Sequence, residues 1–351
     1  MQLKVVVMAG GRGQRFWPRS RIKQPKQFAP VVSEKSMLEE TVARLEGFIP
    51  ADDIYIATGR DYKTTVQKLL PDIRENNIIC EPMARDTAAC IYLAVARSGT
   101  GDNDIYFFIP ADHYINGVDR YIENIKSAAA LAAAEKAIIV FGIKPHYPAV
   151  NYGYIKTGSS YKKACRVDRF YEKPGRKQAE IFLQEDSFLW NSGMFCFSRS
   201  TIYDLYRRYA PQHMELINNY LRLEVSDYSR ACEEFAAVPS ISFDYAVMEK
   251  ADSVYCIKAD FIWDDVGSWQ ALKRLAGKGE RENILPENSY IYGSQNIICR
   301  SDDPEKFFVF NSVQDLNVVL DKNVIYITSS AGEKNIKTIL KELGRSNPEL
   351  L

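Results

Sequence analysis

The chain contains no C-x-x-C pair and only three histidines. Its seven cysteines (Cys80, Cys90, Cys165, Cys196, Cys232, Cys256 and Cys299) are odd in number and scattered. That excludes both a zinc-ribbon or zinc-finger pattern and a disulfide framework. Reduced thiols packed as small apolar groups, in a cytoplasmic protein, are the expectation. Net charge is also lacking, since Lys+Arg and Asp+Glu are both 45. A chain so balanced has no general field for nucleic acid or an anionic membrane, so neither is expected as a partner. Any phosphate it binds must meet locally placed groups. Nor is there a long apolar run near the start: Val5 to Met8 is far too short for a signal-peptide core or a membrane span.

What the chain does have is alternation. Strand-like runs at Lys4–Met8, Asp53–Ala57, Asn77–Cys80, Asp104–Ile109 and Ala137–Phe141 are separated by helix-like segments near 36–47, 61–70, 86–97 and 118–135. The last includes Ser127-Ala-Ala-Ala-Leu-Ala-Ala-Ala-Glu-Lys136, built almost wholly from strong helix formers. Such spacing predicts an α/β fold, Rossmann-like, with a mainly parallel sheet covered by helices on both faces. Ligands then bind beyond the carboxyl ends of the strands. From about 150 to 275 the pattern loosens, and after 280 it becomes short strand-like pieces at Ser289–Tyr292, Asn296–Cys299, Phe307–Phe310, Asn317–Leu320 and Val324–Thr328. The length suits two domains, a large one at 1–280 and a small all-β appendage at 281–351. The β pieces are spaced too irregularly to define a repeat.

The first strand runs into Met8-Ala-Gly-Gly-Arg-Gly-Gln-Arg-Phe-Trp-Pro18. A dinucleotide fingerprint is excluded because Phe16 stands where its third glycine belongs, and a Walker loop because no Lys-Ser or Lys-Thr follows. What remains is a glycine loop with Arg12 and Arg15, followed by Lys26 in Gln24-Pro-Lys-Gln-Phe28. Three cations at a glycine loop suit a triphosphate that loses pyrophosphate. A second signal is Asp112 in Pro110-Ala-Asp-His113, placed just after the apolar run Ile105–Ile109. It has a partner in Asp265 of Trp263-Asp-Asp-Val-Gly-Ser-Trp269. One or two carboxylates plus substrate phosphates are the usual setting for Mg2+, so Asp112 and Asp265 are expected to hold it. His113 is expected to be structural, because Mg2+ prefers oxygen. A third group is Gly153 in Asn151-Tyr-Gly-Tyr-Ile155, Glu172 and Lys173 in Phe170-Tyr-Glu-Lys-Pro174, and Asn191 in Trp190-Asn-Ser-Gly-Met194. It offers acceptors for sugar hydroxyls, a cation for a phosphate, and a close backbone approach.

Together with Glu81-Pro-Met-Ala-Arg-Asp-Thr-Ala-Ala89 and Ser242-Phe-Asp-Tyr-Ala-Val-Met-Glu-Lys250, these motifs closely resemble the mannose-1-phosphate guanylyltransferases of the sugar-1-phosphate nucleotidyltransferase family. The resemblance covers residues 1 to about 275, and the tail resembles the small left-handed β-helix-like domain of the single-function members. It implies that Ala9, Gly10, Gly11, Arg12 and Gly13 wrap the nucleotide, with Pro110 beside them. It further implies that Arg15 and Lys26 contact the phosphates, and that Asp112 and Asp265 hold Mg2+. Glu81, Arg85, Asp86 and Thr87 would lie by the base, and Gly153, Glu172, Lys173 and Asn191 at the sugar phosphate. The implied substrates are GTP and mannose 1-phosphate, and the implied assembly is a homodimer. At Asp86 the family pattern usually has asparagine. A manno-heptose 1-phosphate or another nucleotide is the nearest alternative, and a non-catalytic regulator that binds GDP-mannose is the next.

Overall fold

A computed structural model describes residues 1–351 apart from Arg12, Thr100, Lys278, Glu280 and Arg281. The chain forms two compact units. One comprises Met1–Gly10, Thr41–Ala111 and Ile115–Trp263, and the other Gly11–Glu40, Asp112–Tyr114 and Asp264–Leu351.

The first unit is built on a nine-stranded sheet. In sheet order its strands are Ile78–Glu81, Ile54–Gly59, Leu3–Met8, Ile105–Pro110, Phe188–Ser198, Ile138–Ile143, Val254–Lys258, Ala164–Tyr171 and Tyr154–Tyr161. The first four pair in parallel, as their nearly continuous apolar runs require of strands buried on both faces. Phe188–Ser198 joins antiparallel to the strand before it and the strand after it, and the sheet continues with mixed pairings.

Alternation along Ile105–Pro110 sorts the helices onto the two faces. Tyr106 and Phe108 point into the larger core, with the helix Asp86–Arg97 and residues from the helices Arg199–Tyr209, Pro211–Leu223 and Tyr228–Ala236. Phe107 points the other way and meets Tyr121 of the helix Val118–Ala134, with ring centroids 6.3 Å apart. Helices therefore cover both faces.

In the second unit Ser289–Tyr292 pairs in parallel with Phe308–Asn311, and Gln295–Ser301 with Gln314–Asp321. Partners such as Gln295 and Gln314 are 19 residues apart in both ladders, the offset of successive coils. A repeat is thus present that the uneven turns concealed. The tail is not wholly β, since it closes with the helix Ile336–Ser346. Ile336 and Leu340 enter one core with Phe16, Trp17, Val266, Trp269 and Tyr326. The glycine-loop segment is therefore packed with the tail, and the Trp17 indole N–H donates to the Leu350 carbonyl at 2.9 Å.

Candidate functional site

In the second unit the glycine loop is fixed through its carbonyls. Gln27 donates to the Gly11 carbonyl at 3.1 Å and Ser20 to that of Gly13 at 2.6 Å. Gly13 has φ +55, and a Cβ there would stand 2.3 Å from the Lys26 Cβ, so only glycine fits. The following turn Gln14–Phe16 buries Phe16 edge-on against Trp269, which leaves Arg15 exposed. Arg12 lies outside the described residues.

Lys26 is buried, at 4% exposure. Its ammonium donates to the Asp112 carboxylate at 2.9 Å, the Asp112 carbonyl at 3.0 Å and the Asp265 carbonyl at 2.8 Å. An ammonium has three protons, and here three protein oxygens accept them. A phosphate oxygen reaching Lys26 must therefore displace one of these acceptors. Burial works to raise the Asp112 carboxyl, but the Lys26 charge and the His113 ring outweigh it and hold the group below its ordinary value.

The two adjacent carboxylates of the Trp263–Trp269 motif part company. Asp264 is buried and takes both arms of Arg274, at 2.9 and 3.1 Å, which makes it structural. Asp265 instead accepts from the Gly267 amide at 3.0 Å, across a turn in which Val266 is held at φ +46. Left-handed backbone at a β-branched residue is a strained feature that clusters at functional turns. A Cβ at Gly267 would stand 2.6 Å from the Asp265 carboxylate and 3.1 Å from the Arg15 guanidinium. The bare glycine lets these two groups lie close together. Sequence reading passed over Gly267, although its place two residues after Asp265 was visible.

In the first unit, Glu81 ends its strand with one carboxylate oxygen buried and unpartnered. Burial, reinforced by the negative charge of Asp86, pushes it up to about 8. Asp86 is at φ +63 and its carboxylate accepts from the Thr87 amide at 2.7 Å, opening the helix Asp86–Arg97. Thr87 and Arg85 are bound to neighbouring segments. The Thr87 hydroxyl accepts from the Phe243 amide at 2.8 Å, and Arg85 donates to the Phe235 and Ala236 carbonyls. Ala9 and Pro110 belong to the backbone framework. The Ala9 amide donates to Ala57, its carbonyl accepts from Thr58, and Pro110 aligns with Met8. A Cβ at Gly10 would meet nothing within 4 Å.

Also in this unit the structure brings Gly153, Glu172, Lys173 and Asn191 together. Asn191 donates its amide to the Gly153 carbonyl at 2.8 Å, and a Cβ at Gly153 would stand 2.6 Å from Glu172. Lys173, at φ +45, reaches back to Glu172 at 2.6 Å. A further member is Asp244, whose carboxylate accepts from the Asn191 side chain at 2.7 Å. Burial, with the Glu172 charge beside it, pushes Asp244 up to about 6. It lies inside the Ser242–Lys250 motif, yet nothing in one sequence singles it out before the fold brings it to Asn191. Among the described residues no helix is long and apolar enough to cross a membrane.

The Nucleotidyl transferase family model matches residues 4–281. The chain is 33% identical over 348 residues to a mannose-1-phosphate guanylyltransferase of Klebsiella pneumoniae, a match covering 96% of this chain and 73% of that protein. It is 32% identical to one from Escherichia coli, with the same coverage. Among solved structures it superposes on one described as mannose-1-phosphate geranyltransferase from Thermus thermophilus, with TM-score 0.86 and 31% identity. That match covers 98% of this chain and 99% of the other. The chain is an enzyme of the nucleotidyl transferase family, in the group of the mannose-1-phosphate guanylyltransferases.

Proposed function

We propose that the enzyme joins GTP and mannose 1-phosphate into GDP-mannose and releases pyrophosphate. The observation that carries this reading is the Lys26 ammonium binding Asp112 and the Asp265 backbone together, in the same unit as the glycine loop and Arg15. The relatives' names supply the substrates.

Among the described residues no cluster of three or more His, Cys, Asp or Glu is present that could hold a metal ion alone. The residues fit Mg2+ nonetheless. Asp112 is held ionised, Asp265 is tied to the same ammonium through its own carbonyl, and Mg2+ takes one or two carboxylates with phosphate and water completing its shell. When bound there, Mg2+ would neutralise charge on the triphosphate.

The chemistry is attack by a sugar phosphate oxygen on the α-phosphorus of GTP, in line with the departing pyrophosphate. A phosphate monoester is largely ionised near neutral pH, so no general base is needed. What the residues must do is hold two anions together. Arg15 would lie on the triphosphate, Lys26 would fix the aspartates, and Lys173 would meet the sugar phosphate. Glu172, Asn191 and the Gly153 backbone would receive the sugar, and Glu81 to Thr87 would adjoin the base. Every one of these residues precedes 281, so we keep 1–280 as the chemical module and 281–351 as its appendage. The seven cysteines are all unpaired, which supports a reducing, cytoplasmic setting.

Pyrophosphate release with Mg2+, across four nucleoside triphosphates and the 1-phosphates of mannose, glucose and manno-heptose, tests the reading. Release confined to GTP with mannose 1-phosphate is expected. Preference for another pair would remove the substrate assignment, and silence from folded protein that binds GDP-mannose would point to a regulator.

A further inference from the structure

The second unit contains a cavity of about 380 Å3 whose walls include Gln14, Trp17, Arg21, Lys337, Lys341 and Arg345. Lys337, Lys341 and Arg345 recur every fourth residue along the helix Ile336–Ser346, so they rise from one face. All three are exposed, and none is ion-paired with a carboxylate among the described residues. Arg21 differs. It is fixed in the wall by its bond to the Pro18 carbonyl and by its ion pair with Asp321, both at 3.1 Å.

In a chain with no net charge, three cations side by side on one cavity, none of them in an ion pair among the described residues, are conspicuous. They repel one another, and an anion between them would relieve that repulsion. Another part of the wall is apolar and rigid. Trp17 is held by its indole bond to Leu350 and by edge-on packing on Tyr326, and Leu340 is buried beside it. Trp17 itself is only 5% exposed, so what the wall presents is its cations, which match the phosphates of a ligand. The volume lies within the range of small-molecule sites.

We propose that this cavity is a second binding site, for a nucleoside phosphate, with the phosphates on Lys337, Lys341 and Arg345. The site adjoins the loop that carries Arg15. Gln14 begins the turn Gln14–Phe16, and Ser20, also in the wall, donates its hydroxyl to the Gly13 carbonyl. A ligand here is therefore positioned to act on the glycine loop as an effector. The choice of a guanosine probe rests on the function proposed above.

Equilibrium dialysis of the full chain with labelled GDP tests the site. The wild type should bind two molecules per chain, and K337A/K341A/R345A only one, with an unchanged melting temperature because the three side chains are exposed. The charge-conserving K337R/K341R should still bind two. One GDP per chain in a wild type that releases pyrophosphate would overturn the second site alone. Two per chain in the triple alanine variant would overturn its location. A wild type that neither releases pyrophosphate nor binds GDP would overturn the nucleotide reading as well.

Discussion

Gly13 lies so close against Lys26 that a methyl group on Gly13 would stand 2.8 Å from the Lys26 amide nitrogen as well as 2.3 Å from its Cβ. The neighbouring atoms are backbone and Cβ, which cannot swing aside. Gly13 also sits at φ +55, where an L side chain is strained. Gly13→Ala should therefore push the Lys26 segment and the loop apart. The expected result is loss of turnover by on the order of 100-fold, the scale of a misplacement of about 1 Å, with a stability loss of roughly 1–3 kcal/mol. Initial rates and thermal melts check both. Wild-type turnover would show that the loop and Lys26 need not adjoin.

Lys26→Met keeps much of the side-chain volume and removes the ammonium. Three oxygen acceptors then lose their donor, at a cost of roughly 1–3 kcal/mol for each that stays buried. The Asp112 carboxyl is held below its ordinary value in the fold, so its contribution is present above the unfolded value of 3.8 and fades as pH falls through the folded one. The stability gap between wild type and K26M should accordingly be full near neutral pH and shrink below about pH 4. Urea melts across pH check this. A gap independent of pH would show that Asp112 is not the group Lys26 stabilises.

Much of this was legible in the sequence because its causes are local. The short β-branched and aromatic apolar runs of Val5–Val7 and Ile105–Ile109 read as strands buried on both sides, and the helix over 118–135 follows from its alanines. The glycine loop was legible by elimination, and Asp112 by its place after a buried strand. The rest depends on long-range assembly. Asp264 and Asp265 are the same residue type side by side, and only the placing of Arg274 makes one structural. Lys26 offered a cation to any anion, and its three acceptors appear only when residues 112 and 265 arrive. The closing helix did leave a signal, in Ile336, Leu340 and Leu343 at helical spacing, among the strands that dominate the tail.

Gly153→Ala bears on the sugar end alone. Its Cβ would press on the Glu172 carboxylate at 2.6 Å, the mobile tip of a side chain, while the Asn191 Cβ stands at an ordinary 3.5 Å. Glu172 should swing away at little cost to the fold, taking its pairing with Lys173 along. The expected outcome is a rise of about tenfold in KM for mannose 1-phosphate, equivalent to about 1.4 kcal/mol, with KM for GTP unchanged. An equal rise in both would show that this cluster does not act on the sugar phosphate.

Glu81→Gln separates the fold from the base. In the folded chain Glu81 is pushed from 4.5 up to about 8, so between those values the unfolded chain has released a proton that the folded chain keeps. This group's contribution to stability therefore falls as pH rises through that window, by up to about 1.4 kcal/mol per pH unit. Glutamine cannot ionise, so E81Q should melt higher than wild type at pH 8, and its advantage should vanish near pH 4.5. Binding should move the other way. Guanine presents two donors, N1–H and the amino group, which an ionised carboxylate accepts together and an amide cannot. KM for GTP should rise roughly tenfold or more in E81Q at pH 8, even as the protein becomes more stable. Stability and nucleotide affinity falling together would instead mark Glu81 as a structural group whose unpaired oxygen has no bearing on the base.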